Sequence, residues 1–242
     1  MKRIYEGAKA IDMDIGKTPQ ELEEMILSTL AANDMTDHVH IRLMITRGMK
    51  STPYQDPRFT ITPPTIVVIP EYKEPRPETL TAGVRLYTVA TRRGRPDVQD
   101  PKWNSHSKLN CITACIQATK AGADEGLMLD PQGFVATCNS THFFIVRDGE
   151  VWTSTGDYCM PGITRRNVLR LCEQNGIVAK EKNFSLTEVY GAEEAFVTGT
   201  FAGIAPVSEV DGRLFPVGAD GSARGPVVER LQGLYLDLLQ SV

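Results

Sequence analysis

The sequence has no C-x-x-C pair, and its five cysteines and four histidines are scattered through 242 residues. Neither a paired-ligand zinc site nor a disulfide framework is expected, so no metal is expected and the thiols should be reduced. It lacks any apolar run of the ~20 residues that a membrane-spanning helix needs. Residues 1–16 carry no signal-peptide hydrophobic region, so a cytoplasmic protein without membrane contact is expected. An excess of positive charge is also missing: 26 Lys+Arg stand against 30 Asp+Glu, a net charge of −4. A nucleic-acid partner normally requires a basic face, and none is indicated. What remains is an ordinary globular composition, 41% hydrophobic and 23% charged, without repeats or low-complexity tracts. A chain of this length buries about three quarters of its unfolded surface, enough for one large domain or two smaller ones. The partners expected are small molecules.

The first part of the chain reads as a small α+β unit. Thr18-Pro19-Gln20-Glu21 has the form of a capping box with proline at the first helical position, which predicts a helix to about Asn33. Runs rich in β-branched residues at 38–46, 65–71 and 84–90 predict three strands with polar, proline-containing connections. The polar text of residues 91–107 has neither helical nor strand periodicity, as a connection between domains would. The domains expected are 1–92, a linker at 93–107, and 108–242. In the last of these, 110–121 reads as a helix. Four short strands follow at 125–130, 134–137, 142–147 and 150–153, turning at Asp130-Pro131-Gln132-Gly133 and Asp148-Gly149, as hairpins of a barrel-like core would. A helix at 164–175 closed by Gly176, strands at 194–200 and 207–214, and an amphipathic helix at 226–239 complete the reading.

Three places have chemical potential. Met160-Pro161-Gly162-Ile163-Thr164-Arg165 ends a turn and opens a helix, so its backbone N–H groups and dipole suit an anion. A plain helix start capped by Thr164 reads equally well. The turn Thr198-Gly199-Thr200-Phe201-Ala202-Gly203 after a strand has the same two readings. Lys108, between the polar segment and an apolar one, is either a solvated surface charge or an amine that becomes nucleophilic on losing solvent.

The order of these elements resembles the class IV aminotransferases, the fold type IV pyridoxal-phosphate enzymes that include the branched-chain and D-amino-acid aminotransferases and aminodeoxychorismate lyase. The resemblance is carried by Ser107-Lys108-Leu109-Asn110, Ala121-Gly122-Ala123-Asp124-Glu125, Phe143-Phe144, Val151-Trp152-Thr153, Gly162-Ile163-Thr164-Arg165, and Glu194 to Thr200 followed by Pro206-Val207. It implies an α+β fold with a small domain and a larger barrel-like one, and pyridoxal 5′-phosphate as cofactor. The activity implied moves an amino group between a small amino acid or amine and a 2-oxo acid in a homodimer. The alternatives are a lyase of the aminodeoxychorismate type and a catalytically weak relative. By position, Lys108 resembles the Schiff-base lysine. The N–H groups of Ile163 and Thr164, with the hydroxyls of Thr164 and Thr200, would hold the phosphate. Thr200, Phe201 and Ala202 would receive the substrate carboxylate, and Arg42 is a further substrate contact or simply an outward strand charge.

Two departures stand out. Thr137 occupies the position of a family glutamate that meets the pyridine nitrogen, and His142 replaces a family asparagine. A neutral hydroxyl there predicts a weaker electron sink. Residues 1–10 already resemble a helix that the family reaches only after its first strands, so the early part of the small domain, with a phosphate-binding arginine, is expected to be missing.

Overall fold

The computed structural model describes residues 1–216, 218 and 220–241. It divides into two compact units, Met1–Glu74 and Pro75–Val242.

The first unit contains α1 (Lys2–Ala10), α2 (Pro19–Ala32) and the antiparallel pair β1 (Val39–Thr46) and β2 (Thr65–Tyr72). The capping box is present as expected: the Thr18 hydroxyl accepts from Glu21 N while the Glu21 carboxylate accepts from Thr18 N. Both bonds satisfy N–H groups that the start of a helix leaves without intrahelical partners. The helices pack through a small core of buried Ala8, Ile15 and Leu22, lined by Leu43, Ile45 and Ile66 of the sheet.

The second unit runs β3 (Val84–Thr88), α3 (Pro96–Gln99), α4 (Leu109–Lys120), β4 (Glu125–Leu129), β5 (Val135–Cys138), β6 (His142–Arg147), β7 (Glu150–Thr153), α5 (Ile163–Gln174), β8 (Ala179–Glu181), α6 (Leu186–Tyr190), β9 (Glu194–Gly199), β10 (Gly203–Val210), β11 (Arg213–Leu214) and α7 (Pro226–Gln240). The sheet is ordered β5-β4-β3-β10-β9-β6-β7-β8, with β11 added to β10. The division falls at Glu74/Pro75 rather than across residues 93–107. The reason is β3: it pairs in parallel with both β4 and β10, so its hydrogen bonds belong to the large sheet.

Both faces of the sheet are covered, which explains why β6 reads as an unbroken apolar run. Phe143 and Ile145 join one core with Leu86, Leu127, Val197 and Val207, while Phe144 and Val146 join another with Val168 and Leu171 of α5 and Val228 and Leu231 of α7. Strand periodicity sends alternate residues to opposite faces, and here each face meets apolar partners. The strand expected over 207–214 is a hairpin, because Asp211 adopts φ 54° and Gly212 φ 77° and together they turn β10 into β11.

Candidate active site

The N-terminus of α5 is capped by Gly162, which has no side chain to satisfy the first amides. Thr164 is therefore inside the helix, two residues past the cap, and not the cap itself. The residue is 2% exposed, and its Oγ1 has no hydrogen-bond partner. Helix geometry leaves the N–H groups of Ile163 and Thr164 without intrahelical acceptors as well. Beneath this end lies β6. His142 Nε2 is 2.6 Å from Met160 O, and a Cβ placed on Gly162 would come within 2.3 Å of His142 Cε1. Across the sheet His142 is in register with Thr198 of β9, whose hydroxyl is fully buried and also unpartnered. Two buried hydroxyls thus have no hydrogen-bond partner, one in the first turn of the glycine-capped α5 and one on β9 in register with His142.

Thr200, Phe201 and Ala202 form the turn from β9 to β10, where Gly199 and Gly203 face one another in register. Thr200 and Phe201 are exposed and Ala202 is half-buried. Lys108 is the N-cap residue of α4, exposed, with Nζ 3.2 Å from Asn104 Oδ1. Arg42 is exposed on β1 of the first unit, in register with Ile69.

Thr137 is buried in β5 and donates its hydroxyl hydrogen to Thr141 O at 2.7 Å. It therefore has only lone pairs to offer any other group. Thr141 in turn donates through Oγ1 to Glu125 Oε2 at 2.5 Å, and Ser140 donates through both N and Oγ to Glu125 Oε1. Burial pushes the Glu125 carboxyl above the usual carboxylate range, opposed by these hydrogen bonds. Burial, with Glu125 nearby, raises the Cys138 thiol too. The sequence pattern names Ile163, Thr164 and Thr200 as phosphate ligands and includes Thr198 only as the first residue of a turn, and it treats Glu125 only as part of a motif. A buried unpartnered hydroxyl leaves no trace in sequence spacing, and the Glu125 network joins residues 15 and 16 positions apart. A separate open groove of about 620 Å³ runs along Val89, Arg92, Gln117 and Leu129, and neither Lys108 nor the start of α5 borders it. Among the described residues no group of three or more His, Cys, Asp or Glu is placed to hold a metal ion, and no helix is long and apolar enough to cross a membrane.

The family model described as Amino-transferase class IV matches residues 1–210. Branched-chain-amino-acid aminotransferase-like protein 2 of Arabidopsis thaliana is 38% identical over 238 residues, which are 98% of this chain and 42% of the relative. The chain thus spans less than half the length of that protein. The branched-chain-amino-acid aminotransferase of Pseudomonas aeruginosa is 32% identical over 98% of this chain and 76% of its own length. Among solved structures, a branched-chain amino acid aminotransferase of T.th., complexed with N-(5′-phosphopyridoxyl)-L-glutamate, superposes with a TM-score of 0.85 at 31% identity, over 98% of this chain and 76% of that one.

Proposed function

The chain belongs to the class IV aminotransferases, and from that premise we propose that it moves an amino group between a small amino acid or amine and a 2-oxo acid, with pyridoxal 5′-phosphate as cofactor. The observation that carries the proposal is the unpartnered Thr164 hydroxyl at the glycine-capped start of α5. Leaving a buried hydroxyl unsatisfied costs about 1–3 kcal/mol, so a fold that keeps one beside free amides fits an anion that accepts from all of them. A phosphate monoester has the charge and the acceptor oxygens for it.

In this reading the N–H groups of Ile163 and Thr164, with the Thr164 and Thr200 hydroxyls, bind the phosphate. Thr137, its hydrogen already given to Thr141, presents an acceptor where the family presents a carboxylate. Lys108 would hold the cofactor through its ε-amine and, once freed, would carry the proton at Nζ from the substrate Cα to the cofactor C4′. The N–H groups of the Thr200-Phe201-Ala202 turn orient the substrate carboxylate. When bound, the cofactor supplies the electron sink that allows the α-proton to leave. Lys108 must lose water to act as a base, since desolvation disfavours the charged amine. Closing the site over Nζ is therefore part of the proposal.

Branched-chain amino acids are the first substrates to try, because the Pseudomonas aeruginosa relative bears that name; the D-alanine aminotransferase of Listeria monocytogenes, 28% identical, makes D-alanine the second. A cytoplasmic homodimer belongs to the same proposal. The exposed Leu109, Ile112 and Ile116, which share one face of α4, support a subunit contact, and sedimentation tests it. Borohydride reduction in the presence of pyridoxal 5′-phosphate, followed by peptide mapping, is expected to mark Lys108. A label on another lysine, or none, overturns the assignment. Product analysis separates transfer, which yields a new amino acid and a new 2-oxo acid, from elimination, which releases a 2-oxo acid without an amino acceptor.

A further inference from the structure

His142 is used by nothing in the proposed reaction, yet it is buried directly under the start of α5. Its Nε2 lies 2.6 Å from Met160 O. A carbonyl oxygen only accepts, so that nitrogen carries the hydrogen and donates. The edge of the same ring lies where a Cβ on Gly162 would be, 2.3 Å from Cε1 and 2.7 Å from Nδ1. One imidazole thus holds both ends of the Met160-Pro161-Gly162 turn, the first by a hydrogen bond and the last by contact. The helix that follows presents the unpartnered Thr164 hydroxyl. Across the sheet, Thr198 pairs with His142 and has its own unpartnered hydroxyl. Directly paired residues in neighbouring strands point to the same face, so the Thr198 side chain stands beside the imidazole.

We propose that His142 is a positioning residue for phosphate binding: it fixes the Met160-Pro161-Gly162 turn, and through it the direction of the first amides of α5 and of Thr164 Oγ1, so that they meet one phosphate monoester. The inference rests on the cofactor reading above. It also explains why residue 162 is glycine at φ −69°, a backbone conformation that any residue adopts. The requirement is space for the ring, not a special dihedral angle.

The test compares the affinity for pyridoxal 5′-phosphate with that for pyridoxal, which lacks the phosphate, in the full chain and its variants, with melting temperature measured alongside. The ratio of the two affinities isolates the phosphate contribution. His142→Phe keeps a ring of similar size without the donor and is expected to lower the ratio about fivefold, the worth of one net hydrogen bond. His142→Gln has an amide that reaches about as far as Nε2 and is expected to restore most of it; a general loss of packing would not be rescued in this way. Gly162→Ala is expected to lower the ratio in the parent by displacing the ring, and to add little in a His142→Ser background where that ring is gone.

If His142→Phe melts as the parent does and keeps its ratio, or if the Gly162→Ala and His142→Ser effects simply add, the proposal falls. Should His142→Phe not fold, the Gly162→Ala cycle decides alone. A parent that marks Lys108 and prefers the phosphate-bearing aldehyde while all His142 variants match it defeats the His142 assignment only. A parent that shows neither label nor preference defeats the cofactor reading, and this inference with it.

Discussion

Glu125 meets donors from Ser140 and Thr141 and is nevertheless pushed above the usual carboxylate range, because burial outweighs them. A carboxyl whose folded pKa is raised contributes stability that is fully present below its unfolded pKa and is lost as pH rises through the folded one. Relative to Glu125→Gln, which cannot ionise, the parent should therefore lose stability as the pH is raised from the ordinary carboxylate range toward neutrality and above. Urea unfolding at stepped pH reads this difference directly. A difference that does not change with pH would mean that Glu125 ionises as easily when folded as when unfolded. Thr137 belongs to the same network. Thr137→Val removes one of the two donors to the Thr141 carbonyl, which keeps Cys138 N at 3.0 Å, and should destabilise by about 0.5–1.5 kcal/mol, the net worth of one hydrogen bond. Thr137→Glu should be worse in the chain without cofactor, since it adds a second buried carboxyl to a network that already strains to hold one. Equal stability of Thr137→Glu and the parent would show that position 137 opens to water.

At the scale of elements, the starts of α2 and α7 differ in what makes them readable. Thr18 and Glu21 cap α2 from within four residues, so the box was legible in the sequence. The start of α7 is capped by Glu194, whose carboxylate accepts from Val227 N at 3.0 Å and Val228 N at 2.8 Å across 33 and 34 residues. Nothing local announces that contact. It also leaves no room for a side chain at Gly225 while the carboxylate stays in place, because a Cβ there would lie 2.2 Å from Glu194 Cδ. Gly225→Ala should destabilise by about 1–3 kcal/mol, as overpacking of a close-fitted site does, and should speed amide exchange in the first turn of α7. Unchanged exchange at Val227 and Val228 would mean that the carboxylate moves aside without loss. The same contrast covers the rest of the fold. The principal helices and β4 to β7 follow from period and turn residues, whereas β8 and α6, of 3 and 5 residues, are too short to carry a period. The candidate site is half legible: its glycine-threonine turns stand in the sequence, but the unpartnered hydroxyls of Thr164 and Thr198 and the contact of His142 with Gly162 exist only once β6, β9 and α5 are packed.

At the scale of the molecule, the two units differ in how much core each contains. The second has a sheet of nine strands whose β4, β5, β6 and β9 are buried almost throughout, with an apolar cluster on each face of β6. The first has a two-stranded sheet and a cluster in which Ala8, Ile15 and Leu22 are the buried members. Two strands alone are marginal in water, so the first unit depends on that cluster, and local opening there needs less free energy than opening of the second unit. Native-state amide exchange should therefore be faster in β1 and β2 than in β6 and β9. Leu22 is fully buried, and Leu22→Ala should remove about 2–5 kcal/mol from the unit that contains it, by lost transfer energy and an unfilled cavity. Exchange through residues 1–74 should then rise steeply while β6 and β9 keep their parental rates. If Leu22→Ala instead speeds exchange in β6 and β9 by the same factor, the chain opens as one cooperative body and the boundary at Glu74/Pro75 is geometric only.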